Sequence, residues 1–148
     1  MRKVFLSLVA VAALAGCASG QSGNCTLADM DSEVSVVWRP ADFEGSGGAM
    51  IRACVDGSCE ERASGNPSDP IGRLSVRLPQ DIGAKKLPVE LTVTPVKGGS
   101  PVKDTKQAQL TEEHPNGKGC DPVAWVATFR ADPVKGLVSP EGLSLQGK

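Results

Sequence analysis

Apolar residues recur at every second position in five separate stretches of this 148-residue chain, and that period commits it to β-strands. Successive side chains of a strand point to opposite faces, so each such stretch buries one row and exposes the other. The stretches are Val34-Val36-Trp38, Ala49-Ile51-Ala53-Val55, Leu74-Val76-Leu78, Leu87-Val89-Leu91-Val93 and Val123-Trp125-Ala127-Phe129. Between them stand turn signals: Pro40, Gly45–Gly48, Asp56-Gly57, Ala63–Pro70, Gly98-Gly99, Pro115–Gly119 and Pro133. Cys59–Arg62 reads as the short return strand of a hairpin. Lys103–Thr111 reads as a further return strand, ahead of a helix, although Lys106–Leu110 are good helix formers. A weaker strand is expected around Leu143 and Leu145. No helical period and no internal repeat appears.

Seven or eight short strands separated by turns favour one antiparallel β-sandwich spanning residues 25–148. The pattern resembles immunoglobulin-like, fibronectin type III-like or transthyretin-like domains, and Trp125 on a central strand fits such a core. The resemblance is one of pattern, since the cysteine spacing departs from the antibody-type bridge.

The N-terminus carries a different signal. Arg2 and Lys3 precede the apolar run Val4–Ala13, and Leu14-Ala15-Gly16-Cys17 follows. A basic start, a short apolar stretch and small residues at a cut site make an export signal over residues 1–16. The run is too short to span a bilayer, which takes ~20 apolar residues. Leu14-Ala15-Gly16-Cys17 resembles the lipobox of bacterial lipoproteins. That resemblance implies a diacylglyceryl (palmitate-type) group on the Cys17 sulfur, cleavage between Gly16 and Cys17, and a location on the outer side of the cell membrane. Two acyl chains suffice for stable attachment. Residues 17–24 hold no large apolar side chain and read as a flexible tether.

With Cys17 assigned to lipid, Cys25, Cys54, Cys59 and Cys120 remain, an even set in an oxidising compartment. Asp56-Gly57 is the two-residue hairpin signal, and it places Cys54 opposite Cys59 at a non-hydrogen-bonded pair. Side chains lie closest there, with Cα atoms ~4.5 Å apart, within disulfide range. Cys54–Cys59 is therefore the first expected bridge, and Cys25–Cys120 follows by elimination. A zinc or redox role is disfavoured, because the spacing is Cys-x4-Cys and disulfides prevail outside the cytosol. The Cys54–Cys59 hairpin and Pro115-Asn116-Gly117 before Cys120 also resemble small lipoproteins of high-GC Gram-positive bacteria, a resemblance that implies location and fold but no activity.

The chain holds 16 Lys+Arg against 17 Asp+Glu. Without Arg2 and Lys3 the balance is 14 against 17, with no basic patch of the kind nucleic acid requires. Tyrosine is absent, so Trp38 and Trp125 are the only large stacking surfaces. His114, the only histidine, lies in a turn-rich loop and reads as solvated, not as a catalytic base. Glu112, Glu113 and Asp121 lack the ligand spacing of a calcium loop. Gly45–Gly48 lacks the Gly-Lys-Ser/Thr ending of a phosphate cradle.

No cofactor and no metal is therefore expected. An exposed apolar patch of Phe43 and Pro40, extended by Val37, is the one candidate binding surface, with closure of the core by Phe43 as the alternative. The function these observations favour is a non-catalytic binding module at the membrane, meeting an envelope protein or polymer. A carboxylate-based envelope hydrolase and an accessory subunit of a transport complex are the alternatives.

Overall fold

The computed structural model describes residues 25–141. Residues 1–24 and 142–148, and with them the signal segment, Gly16, Cys17, the tether and the expected strand at Leu143 and Leu145, lie outside it. Nine strands occur among the described residues: β1 (Glu33–Trp38), β2 (Ala49–Val55), β3 (Ser58–Ala63), β4 (Gly72–Arg77), β5 (Lys86–Pro95), β6 (Val102–Gln109), β7 (Thr111–Glu113), β8 (Ala124–Asp132) and β9 (Gly136–Val138). They form two packed sheets, an all-β sandwich. One runs β4-β1-β8-β7 with β9 also on β8, and the other runs β3-β2-β5-β6. All pairs are antiparallel except β1 with β8, which run parallel. A parallel pair needs a long connection, and the whole stretch from Arg39 to Val123 provides it.

The inward rows are those the alternation marks. Val34, Val36 and Trp38 meet Ile51, Ala53, Val55, Leu74, Val76, Val89, Leu91 and Val93 in one buried cluster. The two tryptophans part company. Trp38 is fully buried, whereas Trp125 packs against the core but stays partly exposed. The expected core role of Trp125 thus falls mainly to Trp38. Among the described residues, beyond β8 lie only the three-residue strands β7 and β9.

The Lys103–Thr111 segment is strand, but two strands in different sheets. β6 pairs with β5 to Gln109, and β7 pairs with β8 from Thr111. Leu110 makes the crossing: it is buried, and its N–H donates to the Lys85 carbonyl at 3.0 Å. β9 carries a single buried leucine, Leu137, too short a signal for a period to reveal.

Residues 25–32 form no regular strand, yet they are tied down closely. Cys25 is bonded to Cys120. The buried Asn116 side chain acts as a substitute strand. Its Oδ1 accepts from the Ala28 N–H at 2.6 Å and the Thr26 hydroxyl at 2.7 Å. Its Nδ2 donates to the carbonyls of Ala28 at 2.9 Å and Asp121 at 2.6 Å. Gln80 repeats the device, accepting from the Ser32 N–H at 2.6 Å and donating to the Met30 carbonyl at 3.0 Å.

Because a buried group left without its partner costs about 1–3 kcal/mol, Asn116→Ala is expected to destabilise the domain by ~2 kcal/mol. Asn116→Asp keeps the shape but sets a carboxylate against two carbonyl oxygens, so its loss should be at least as large. Urea midpoints of the two variants against the parent measure both, and an Asp variant as stable as the parent would refute the clamp.

Candidate functional site

Strand direction sorts the loops into two poles. Residues 25–32, the 78–85 connection, the Asp56-Gly57 hairpin tip and the 114–122 loop lie at the pole where β1 begins. The 39–48, 64–71, 96–101 and 133–135 connections lie at the other. Any tether preceding Cys25 therefore enters at the first pole.

Pro40 and Phe43 belong to the second pole, and they do not form an exposed patch. A 3-10 helix, Pro40–Ser46, turns Phe43 under the sandwich, leaving it 1% exposed, and Pro40 is buried as well. The helix closes when Gly47, with φ of 66°, donates back to the Glu44 carbonyl. Both side chains instead floor a cleft of about 220 Å³ walled by Glu44, Gly65 and Pro67. That is smaller than the ~300 Å³ at which small-molecule sites begin.

Val37, expected on an outer face, is also buried, at 3% exposure. Its cross-strand neighbours are Arg73 on β4 and Arg130 on β8, long side chains on the same face of the sheet. Each guanidinium has its own partner. Arg73 pairs with Glu33 and donates to the Ser35 hydroxyl, and Arg130 pairs with Asp42 at 2.8 Å. Val96, by contrast, is exposed.

The outer face of the β3-β2-β5-β6 sheet carries a second concave surface. Two adjoining depressions of about 400 and 390 Å³ share Arg52, Cys54 and Glu90. The register sets two rows across this face. One runs Glu61, Arg52, Thr92, Lys103, and the other Cys59, Cys54, Glu90, Thr105. Opposite charges thus sit beside one another, separated by hydroxyls and spanned by a disulfide. No aromatic ring occurs in these rows, so the face suits a polar, hydrogen-bonding partner and not one recognised by stacking. The alternation places Arg52, Cys54, Glu90 and Thr92 outward, but only the register sets Cys59, Glu61, Lys103 and Thr105 beside them.

The four cysteines pair as Cys54–Cys59 and Cys25–Cys120, with Cα separations of 4.0 and 5.7 Å. No thiol nucleophile therefore exists among the described residues. His114 is partly buried, and its Nε2 lies 2.9 Å from the Glu112 carboxylate. Glu112 thus faces His114, and no three His, Cys, Asp or Glu side chains among the described residues converge on one point. Burial pushes the Asp132 pKa up, but N–H bonds from Lys135 and Val134 and the charges of Lys135 and Arg130 outweigh it and hold the pKa below the usual value. Asp132 serves the β8–β9 turn. Among the described residues no helix is long and apolar enough to cross a membrane.

No family model matches the chain, and no curated protein or solved structure is detectably similar to it.

Proposed function

We propose that this protein is a lipid-anchored, extracytoplasmic binding module of the bacterial cell envelope. It is held to the membrane through Cys17 and uses the polar outer face of the β3-β2-β5-β6 sheet to meet an envelope protein or polymer. The observation that carries the reading is the strap at residues 25–32. It fixes the tether end of the sandwich at one pole, by a disulfide to Cys120 and by the amides of Asn116 and Gln80. A body gripped at one pole keeps its open sheet face clear of its own anchor. The basic, apolar and small-residue segments before Cys17 supply the address.

Two measurements test the two halves of the proposal. Labelled palmitate is expected in the parent protein and not in Cys17→Ser, with the variant leaving the membrane fraction. A photo-crosslinker at Thr92 is expected to capture a reproducible envelope partner, while one at Val134 on the far turn captures none. Equal capture at both positions, or equal membrane retention of Cys17→Ser, would overturn the corresponding half.

A further inference from the structure

We infer that Cys54–Cys59 is a redox-active disulfide, a site of thiol–disulfide exchange with a dithiol partner, whereas Cys25–Cys120 is structural. Spacing alone argues against redox chemistry here, but the placement of the two bridges separates them. Cys59 is exposed on β3 and Cys54 half-buried on β2, both on the open outer face. The bridge closes only five residues of sequence separation, across a hairpin already held by its ladder and its Asp56-Gly57 turn, with Asp56 at φ of 50°. Breaking it removes little that the ladder does not also secure. Cys25–Cys120 spans 95 residues; Cys25 is exposed like Cys59, but Cys120 is buried beside the Asn116 clamp, more deeply than the half-buried Cys54.

The register also sets which sulfur is attacked. A thiolate must approach in line with the S–S bond. That bond bridges β3 and β2, and β3 is the terminal strand of its sheet. The approach to Cys59 comes from beyond the sheet edge. The approach to Cys54 passes over β5, where Glu90 stands directly opposite. The partner thiolate therefore bonds to Cys59 Sγ, the Cys59–Cys54 bond breaks, and Cys54 leaves with the electron pair and takes a proton from water. Arg52, two residues away on the same face, lines the same depression as the departing Cys54. The second thiol of the partner, having lost its proton to water, then attacks the mixed disulfide. Cys59 leaves and is protonated in turn. Two electrons and two protons reach the pair, and the dithiol ends as a disulfide. Asp56, Glu61 and Glu90 outnumber Arg52 and Lys103 around the two depressions that hold the bridge, so an anionic thiol is repelled relative to a cationic one.

The test uses the intact oxidised protein in native buffer. Dithiothreitol, quenched with maleimide and mapped by mass spectrometry, is expected to open Cys54–Cys59 at least tenfold faster than Cys25–Cys120, with the far-UV circular dichroism retained. With glutathione the adduct is expected on Cys59 and the maleimide on Cys54. Cysteamine should react at least threefold faster than glutathione at equal thiolate concentration, and the ratio should fall toward one in 0.5 M salt. Opening of both bridges at similar rates, loss of the β signal on opening Cys54–Cys59, or adducts mainly on Cys54 would overturn the inference. The Cys54→Ser/Cys59→Ser double variant is the control: it should fold and show no fast-reacting pair.

Discussion

Replacing Cys25 and Cys120 by serine together is expected to destabilise the domain by ~4.7 kcal/mol. This bridge joins residues 95 apart, and a loop near 100 residues removes about that much chain entropy from the unfolded state. For a domain of this size each kcal/mol shifts the melting temperature by roughly 3–5 °C, so a fall on the order of 15 °C should appear in calorimetry. The short Cys54–Cys59 loop corresponds to only ~2 kcal/mol on the same basis, which supplies an internal comparison. The location of the long bridge sharpens the expectation. Cys120 lies just ahead of β8 and Cys25 ahead of β1, and β1 and β8 are the parallel pair at the centre of their sheet. Cutting the bridge frees both strands at the same end and leaves Asn116 and Gln80 to hold the strap. A double variant that melts within a few degrees of the parent would show that the unfolded chain is already constrained without it.

Gly72→Ala is expected to cost ~3–5 kcal/mol, although alanine is the smallest possible change. Gly72 stands directly across from Trp38 in the β1–β4 ladder. A Cβ there would fall 2.2 Å from both Cε2 and Nε1 of the indole. The indole is fully buried and cannot swing into solvent, and its Nε1 donates to the Ser64 carbonyl at 2.7 Å. Moving it therefore combines overpacking, typically 1–3 kcal/mol, with the loss of a buried hydrogen bond, another ~1–3 kcal/mol. The effect belongs to the pair and should not be additive. In a Trp38→Leu background, itself destabilised by a cavity, Gly72→Ala should cost less than ~1 kcal/mol, because the obstructing ring is gone. Denaturant titration of the four proteins in this cycle measures the coupling. An undiminished penalty in the leucine background would place the defect in the β4 backbone instead.

Much of the fold is legible in the residues because a half-buried strand writes its period directly into the chain. β4, with Leu74 and Val76 inside and Arg73 and Arg77 outside, is the clearest case. The Cys54–Cys59 pairing is legible for a related reason. Asp-Gly sets a two-residue loop, the loop sets the register, and the register sets the partner. The candidate patch at Pro40 and Phe43 was not legible in this way, because a short loop carries no period to say which side faces the core. The 3-10 helix that turns Phe43 inward is held by contacts distant in sequence, including Lys97 N–H to the Ser46 carbonyl and Arg130 to Asp42.

Local chemistry along the chain, acting over spans of about ten residues, determined the longer strands among the described residues, the hairpin and its crosslink, and the turn positions. Tertiary structure alone decided that β1 lies parallel to β8, that Leu110 carries the chain from one sheet to the other, that Trp38 and not Trp125 fills the centre, and that Val37 is buried between two arginines of neighbouring strands. Those outcomes depend on which strands become neighbours, and a period-two pattern specifies a face without naming the strand beside it.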